Sequence, residues 1–274
     1  MSTWQCQVAV ILLLHGSEEL RVSDKPKISE IGQKETSCED CSLLHLCFAH
    51  DLSAEEREEI NSVLKRQQPM ERSDHLFHGG QTAKTVSVVR SGSVKGYQLS
   101  HDGDEIVSGF YLPGEILGLD ALSSEKHPGF AVALEDSKTC EIPFKDFVTM
   151  LKKSPKLNQV MLRLLSEEMA ETRELLLVVG RLDARTRVAL FLMSMSRRLA
   201  RRNQDPDQFR LTMDRRDIAN YLGLTIETVS RTLSTLQREE VIEVRGKLVR
   251  VLDRTALEQM AMRVDETGRR QAAG

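Results

Sequence analysis

The chain has 274 residues, 40% of them hydrophobic and 29% charged, with 7 Pro, 16 Gly and a formal net charge of −3. At roughly 100–200 residues per domain this length allows two domains, and the composition excludes a disordered tail or a collagenous or linker-like polymer. Charge is unevenly placed: residues 185–274 carry 18 Lys and Arg against 12 Asp and Glu, while residues 1–184 carry 20 against 29. A basic end on an acidic body suits a chain whose last third meets a polyanion, although a solvated basic face gives the same count.

At the start, the apolar run Val8 to Leu14 is too short for the roughly 20 residues that span a bilayer, and no Lys or Arg precedes it as a secretory signal requires. The expected location is the cytoplasm, with no membrane partner. Residues 1–25 read as a poorly specified extension, such as a start codon assigned too far upstream would add. The cysteines are Cys6, Cys38, Cys41, Cys47 and Cys140, an odd and sparse set that is no disulfide scaffold. Cys38, Cys41 and Cys47 form C-x2-C-x5-C, which in a reducing compartment points to metal ligation or redox chemistry. Cys140 would complete a four-thiolate set if the fold returns it to the loop, and Cys6 is a bystander.

Residues 51–68 predict a helix, with Ser53 and Glu56 spaced as a capping box and Ile60, Val63 and Leu64 as its apolar stripe. From Met70 to Phe144, strand-like runs at 86–90, 94–99, 105–111, 131–134 and 139–142 alternate with Gly and Pro turns at Gly80, Gly92, Gly103, Gly114 and Gly129. This spacing predicts an antiparallel roll or barrel, with Cys140 at the end of a strand. Residues 155–185 then turn helical and predict one long helix whose heptad-like stripe includes Met161, Leu165, Met169, Thr172 and Leu176. Such a helix is expected to form a homodimer seam, weakened where Glu168 and Glu171 interrupt it; an intramolecular core helix is the alternative.

The last third predicts an amphipathic helix over Arg185–Arg202, a helix over Asp214–Leu222, a turn at Gly223–Thr225, a helix over Ile226–Leu236 and a hairpin around Arg245–Gly246. Ala219 is small where two helices would cross, Gly223 frees the turn, Leu224 plugs the interior and Thr225 can cap the next helix. Val229 and Leu233 continue the buried face. Glu227, Thr228, Ser230 and Arg231 remain outward near the front of the second helix, where a recognition helix offers side chains to base edges. Double-stranded DNA is the expected partner. A nucleophile elbow, a P-loop and a Gly-rich dinucleotide turn are all missing from the sequence, so no enzyme is expected.

Glu227-Thr-Val-Ser230-Arg231 after Tyr221-Leu-Gly-Leu-Thr225, preceded by Phe209-Arg-Leu-Thr-Met213, closely resembles the FNR subgroup of the CRP/FNR transcription-regulator superfamily. Tyr111-Leu-Pro-Gly-Glu-Ile-Leu-Gly-Leu-Asp120, His127-Pro-Gly-Phe130 and Cys140-Glu-Ile-Pro-Phe144 extend the likeness, which runs from Cys38 to Leu257. It implies an α+β chain: a cyclic-nucleotide-binding-like β-roll, a long dimerisation helix and a C-terminal winged helix-turn-helix. The expected divisions are 1–50 for the extension and cysteine loop, 51–152 for the β-roll, 153–184 for the dimerisation helix and 185–274 for the DNA-binding domain. The resemblance also implies Glu227, Ser230 and Arg231 as the base-reading set on TTGAT-type inverted repeats, with Thr225 and Thr228 beside them, and contact with RNA polymerase.

Spacing alone leaves the four cysteines open to a [4Fe-4S] cluster or a structural zinc. The resemblance implies the cluster on Cys38, Cys41, Cys47 and Cys140, with DNA binding as a dimer in the absence of oxygen and release after oxidation. The alternative is a constitutive or zinc-stabilised regulator without redox response. The superfamily's other mode, a cyclic nucleotide in the β-roll, needs an Arg for the phosphate. Pro128-Gly129 occupies that region with Lys126 as the nearest cation, so no cyclic nucleotide is expected. His45, His75, His78, His101 and His127 are scattered and read as solvated loop residues.

Overall fold

A computed structural model describes residues 37–262; the extension, the apolar run at Val8 to Leu14 and Cys6 lie outside the described residues. Helix α1 (Ala54–Val63) begins at the expected capping box: Ser53 Oγ accepts from Glu56 N, and Glu56 accepts from Ser53 N at 2.8 Å. It stops before Gln68 because β1 (Lys65–Met70) is taken up as a partner of β8 (Ser137–Pro143), with Met70 opposite Ser137. The run Lys-Arg-Gln-Gln-Pro-Met has no apolar alternation of its own, so pairing and not pattern makes it a strand.

The remaining β-rich elements are β2 (His75–Phe77), β3 (Thr85–Ser91), β4 (Val94–Leu99), β5 (Glu105–Tyr111), β6 (Ile116–Leu117) and β7 (Phe130–Ala133). They form two four-stranded antiparallel sheets, β1-β8-β3-β6 and β2-β7-β4-β5, the roll that the turn spacing predicts. β8 is longer than expected, which puts Cys140 inside the strand opposite Val88 of β3 and not at its end. Val86, Ile142, Phe144 and Phe147 fill the core beneath the first sheet. His127 departs from the expected solvated loop residue: it is 3% exposed and stacks on Phe77 with ring centroids 3.7 Å apart.

The expected long helix is present, and a shorter one that the sequence did not suggest precedes it. α2 (Phe144–Lys153) closes the roll, and α3 (Pro155–Arg181) starts afresh with Ser154 accepting from Leu157 N and Pro155 in the first turn. At about 1.5 Å per residue its 27 residues extend about 40 Å. Its first turns carry Leu157, Val160 and Met161 into the core shared with α2 and the first sheet. Met161 is therefore 2% exposed inside its own chain and presents no surface to a second copy, a correction to the expected seam.

The C-terminal part comprises α4 (Ala184–Ala200), β9 (Gln208–Arg210), α5 (Arg215–Leu222), α6 (Ile226–Arg238), β10 (Ile242–Arg245), β11 (Leu248–Val251) and α7 (Arg254–Met262). The wing has three strands, β10-β11-β9, where the sequence suggested two, and α7 was not foreseen. Val107, Phe110 and Leu112 of the β-roll are built into the same core as Phe191, Leu192, Ile218 and Leu222. Among the described residues no helix is long and apolar enough to cross a membrane.

Candidate metal centre and nucleic-acid interface

The cysteine loop is shaped by short-range backbone bonds. Cys41 N donates to Cys38 O at 3.2 Å, Leu44 N to Cys41 O at 3.0 Å and His50 N to Cys47 O at 3.0 Å, winding the segment into two short 3-10 turns. Asn61 Oδ1 of α1 accepts from Cys38 N at 3.0 Å. Phe48 and Ala49 anchor the other end, Phe48 meeting Phe147 edge-on at 6.2 Å. The ordering side chains lie just outside the C-x2-C-x5-C pattern, and Asn61 carried no sequence signal for this role.

This winding brings Cys38, Cys41 and Cys47 to one cavity with Cys140, a space of about 550 Å³ with its open mouth included. Leu43, Leu44, Phe48, Ile60 and Ile142 line it with hydrocarbon, and Arg66 and Arg90 add two guanidinium groups. Arg90 Nη1 donates to Cys41 Sγ at 3.5 Å. Among the lining residues no carboxylate or imidazole competes with the thiols, so the donor chemistry is that of a soft, thiolate-binding group. No three His, Cys, Asp or Glu side chains among the described residues close on a point that would hold a single ion. The four cysteines line one space.

Burial is the first influence on the thiols of this cavity. Burial pushes the Cys47 thiol up to about 12, and the neighbouring Cys38, Cys41 and Cys140 act in the same direction. Burial also raises Cys38 and Cys41, with Arg66 pulling both back. Thiols raised in this way release their protons when a cationic centre binds them.

The helix-turn-helix is built as its residues predict. Asp214 and Asp217 cap α5, and Gly223 takes φ 61° and ψ 41°. A side chain at Gly223 would meet Val179 Cγ1 of α3 at 2.8 Å, so the turn needs glycine for space as well as for its left-handed backbone. Thr225 accepts from Thr228 N to open α6, while Val229 and Leu233 are buried. Glu227, Ser230 and Arg231 stay exposed on one end of α6, with Thr225 beside them and Thr228 half-buried. Backbone N–H at the helix start and the Thr225 hydroxyl hold the Glu227 carboxyl below its usual range, which keeps it an acceptor.

On α3 the exposed apolar row is Leu162, Met169 and Leu176, at 64%, 56% and 68% exposure and seven residues apart. Leu162 takes the place expected of Met161. Leu165 is half-buried against its own core and Thr172 is exposed, its hydroxyl donating to Glu168 O at 2.8 Å. Glu168 lies off that row and lines a second cavity, of about 450 Å³, inside the β-roll with Tyr97, Ser108, Tyr111 and Asp120. Among the lining residues of that cavity there is no Arg or Lys.

Two family models match the chain: the cyclic nucleotide-binding domain over residues 67–154 and the Crp-like helix-turn-helix domain over residues 186–260. The chain is 38% identical over 242 residues to the fumarate and nitrate reduction regulatory protein of Vibrio cholerae serotype O1, covering 88% of this chain and 97% of that one. It is 40% identical over 224 residues to the protein of the same name from Escherichia coli K12, covering 82% and 90%. Among solved structures, FixK2 from Bradyrhizobium japonicum superposes with a TM-score of 0.66 at 29% identity, covering 71% of this chain and 96% of that one.

Proposed function

The chain belongs to the FNR subgroup of the CRP/FNR superfamily of transcription regulators, and from that premise we propose that it is an oxygen-responsive regulator carrying a [4Fe-4S] cluster. Its family makes it a DNA-binding protein and not an enzyme. The observation that carries the sensing function is the single cavity lined by Cys38, Cys41, Cys47 and Cys140. The names of its relatives support a role at genes of fumarate and nitrate reduction.

Bound to these four thiolates, an iron–sulfur cluster supplies the oxygen-reactive centre. Everything else is done by the chain. With its thiols engaged, the loop is tied to β8 through Cys140, while Leu43, Leu44 and Phe48 limit water and Arg66 and Arg90 offset thiolate charge. The same loop reaches α3, where Arg163 Nη2 meets Asp51 Oδ2 at 2.5 Å. Holding Asp51 steadies α3, whose row of Leu162, Met169 and Leu176, with Leu165 and Thr172 beside it, is the seam of a homodimer. Freed thiols would leave the loop its short turns, the Asn61 bond to Cys38 N and the Phe48–Ala49 anchor but no tie to Cys140, and the seam would lose part of its support.

Two copies place two α6 helices on half-sites one DNA turn apart, an estimated 34–36 Å. Arg231 pairs with guanine, Glu227 accepts from cytosine, and Ser230, Thr225 and Thr228 complete the reader of a TTGAT-type inverted repeat. A monomer holds one half-site and loses the bivalent gain. Activation or repression follows through contact with RNA polymerase. We assign residues 1–50 to the extension and cysteine loop, 51–152 to the β-roll, 153–184 to the seam helix and 185–274 to the reader. The cationless cavity of the β-roll supports the absence of a cyclic nucleotide.

Zinc is the rival guest, because four thiolates also hold it. Iron and acid-labile sulfide are measured per chain after anaerobic purification, with operator binding by gel shift before and after air. The expected result is about four irons per chain and affinity lost as the visible bands bleach. Iron-free, zinc-bound dimer that binds DNA equally in air would overturn the reading.

A further inference from the structure

The turn Pro113–Glu115 touches the cysteine cavity on one side and the DNA-binding domain on the other. Gly114 lines the cavity, and a side chain there would lie 2.6 Å from Leu46 Cβ, the neighbour of Cys47. With φ at +92°, Gly114 lets the backbone turn come directly against the loop. The turn is fixed to the cavity wall, since Gly114 N donates to Val89 O at 2.8 Å and Val89 N to Glu115 O at 3.0 Å.

One residue later, the Glu115 carboxylate leaves the cavity and grips α4. Arg202 Nη2 donates to Glu115 Oε1 at 2.6 Å, and Arg198 engages both oxygens, its Nε donating to Oε1 at 3.2 Å. Arg202 Nε also donates to Pro113 O at 2.8 Å, and Arg198 Nη2 to Phe110 O. The Arg202 side chain is only 6% exposed, while Arg198 and Glu115 are 25% and 28% exposed, so the cluster is shielded on the Arg202 side and open to water on the other. Glu115 also accepts from Leu112 N at 2.9 Å, which stiffens the turn across its own span.

We propose that Pro113–Glu115 is a strut within one chain through which the cysteine loop positions α4, and with it the helix-turn-helix, with Glu115 as the positioning residue. This adds to the seam a second route from thiols to DNA, and it rests on the cluster reading above. A loop held by its thiols keeps Leu46 against Gly114, and the turn then presents Glu115 squarely to Arg198 and Arg202. A loosened loop lets the turn move and the guanidinium groups lose their bidentate partner.

The test uses the full chain, wild type and Glu115→Gln, purified anaerobically and compared before and after air. Operator affinity is read by fluorescence anisotropy and α4 by amide hydrogen exchange. Wild type is expected to change affinity by about 5–150-fold on exposure; E115Q should keep its iron, its visible spectrum and its dimer mass while losing most of that ratio. Arg202→Gln combined with E115Q should cost less than the two single losses summed, because the two residues are coupled through one ion pair. A responsive wild type with an equally responsive E115Q overturns the strut and leaves the cluster reading intact; an iron-free, unresponsive wild type overturns the cluster reading. Gly114→Ala in metal-free protein decides the strut in that case as well. It pushes on Leu46 and should speed exchange across α4, whereas unchanged exchange in α4 refutes the strut whatever the cavity holds.

Discussion

Lys95 of β4 donates a hydrogen bond from Nζ to Asp217 Oδ1 of α5 at 2.9 Å, and both residues are under 10% exposed. The ammonium also reaches Glu105 at 2.8 Å, and these bonds hold the Lys95 pKa above its ordinary value although burial alone would lower it. Asn220 extends the junction, its amide pairing with Val107 N and Glu105 O on the sheet-edge strand β5. A polar latch thus crosses between the β-roll and the helix-turn-helix beside their shared apolar core.

Lys95→Ala leaves the Asp217 carboxylate buried without its cation and should cost about 3–5 kcal/mol of stability. Urea unfolding of the anaerobic protein measures it, with iron content as the control. A loss under about 1 kcal/mol would mean that the pair behaves as a solvated surface bridge.

Replacing Cys140 by Ser should abolish iron binding and air-sensitive DNA binding together, because Cys140 is the one thiol of the cavity that β8 contributes and, in the proposed cluster site, would tie the loop to the roll. Serine at Cys6 should change neither. Iron retained at wild-type level in C140S would remove Cys140 from the ligand set.

Arg231→Ala should weaken specific operator binding by about 1–3 kcal/mol, with the visible spectrum and non-specific binding little changed. An equal loss on random DNA would make Arg231 a phosphate contact and not a base reader.

Two neighbours on α3 should respond oppositely. Leu162→Lys puts a charge on the exposed row and should shift sedimentation toward monomer with little loss of fold stability. Met161→Ala removes a buried side chain and should cost about 2–5 kcal/mol of stability without acting directly on the seam. Exchange of these two phenotypes would reverse the assignment of faces.

The metal-free chain should lose stability as pH rises. Cys47 titrates at 9.0 as an ordinary thiol but at about 12 when folded, so its contribution is full below pH 9. Between 9 and 12 the unfolded chain releases the proton while the folded chain keeps it, and stability falls. Chemical denaturation of metal-free wild type and C47A across this range measures the effect, and the slope should be shallower in the variant.

Read alone, the sequence determined the elements whose causes are local: the capping box at Ser53 and Glu56, the strands from Val86 to Tyr111, and the left-handed turn at Gly223 that opens the recognition helix. Caps, alternation and turn residues act within a few positions, so their spacing carries the information. It also named the four cysteines, since thiols are rare and their types declare their chemistry. Only the tertiary structure decided what depends on distant partners. Strand β1 exists because β8 pairs with it, Cys140 joins the loop because β8 lies beside β3, and Glu115 faces two arginines more than eighty positions away. Helix α3 shows the same division at its finest: Met161 and Leu162 are adjacent apolar residues about 100° apart around one helix, and packing of the β-roll against one face buries the first and leaves the second exposed.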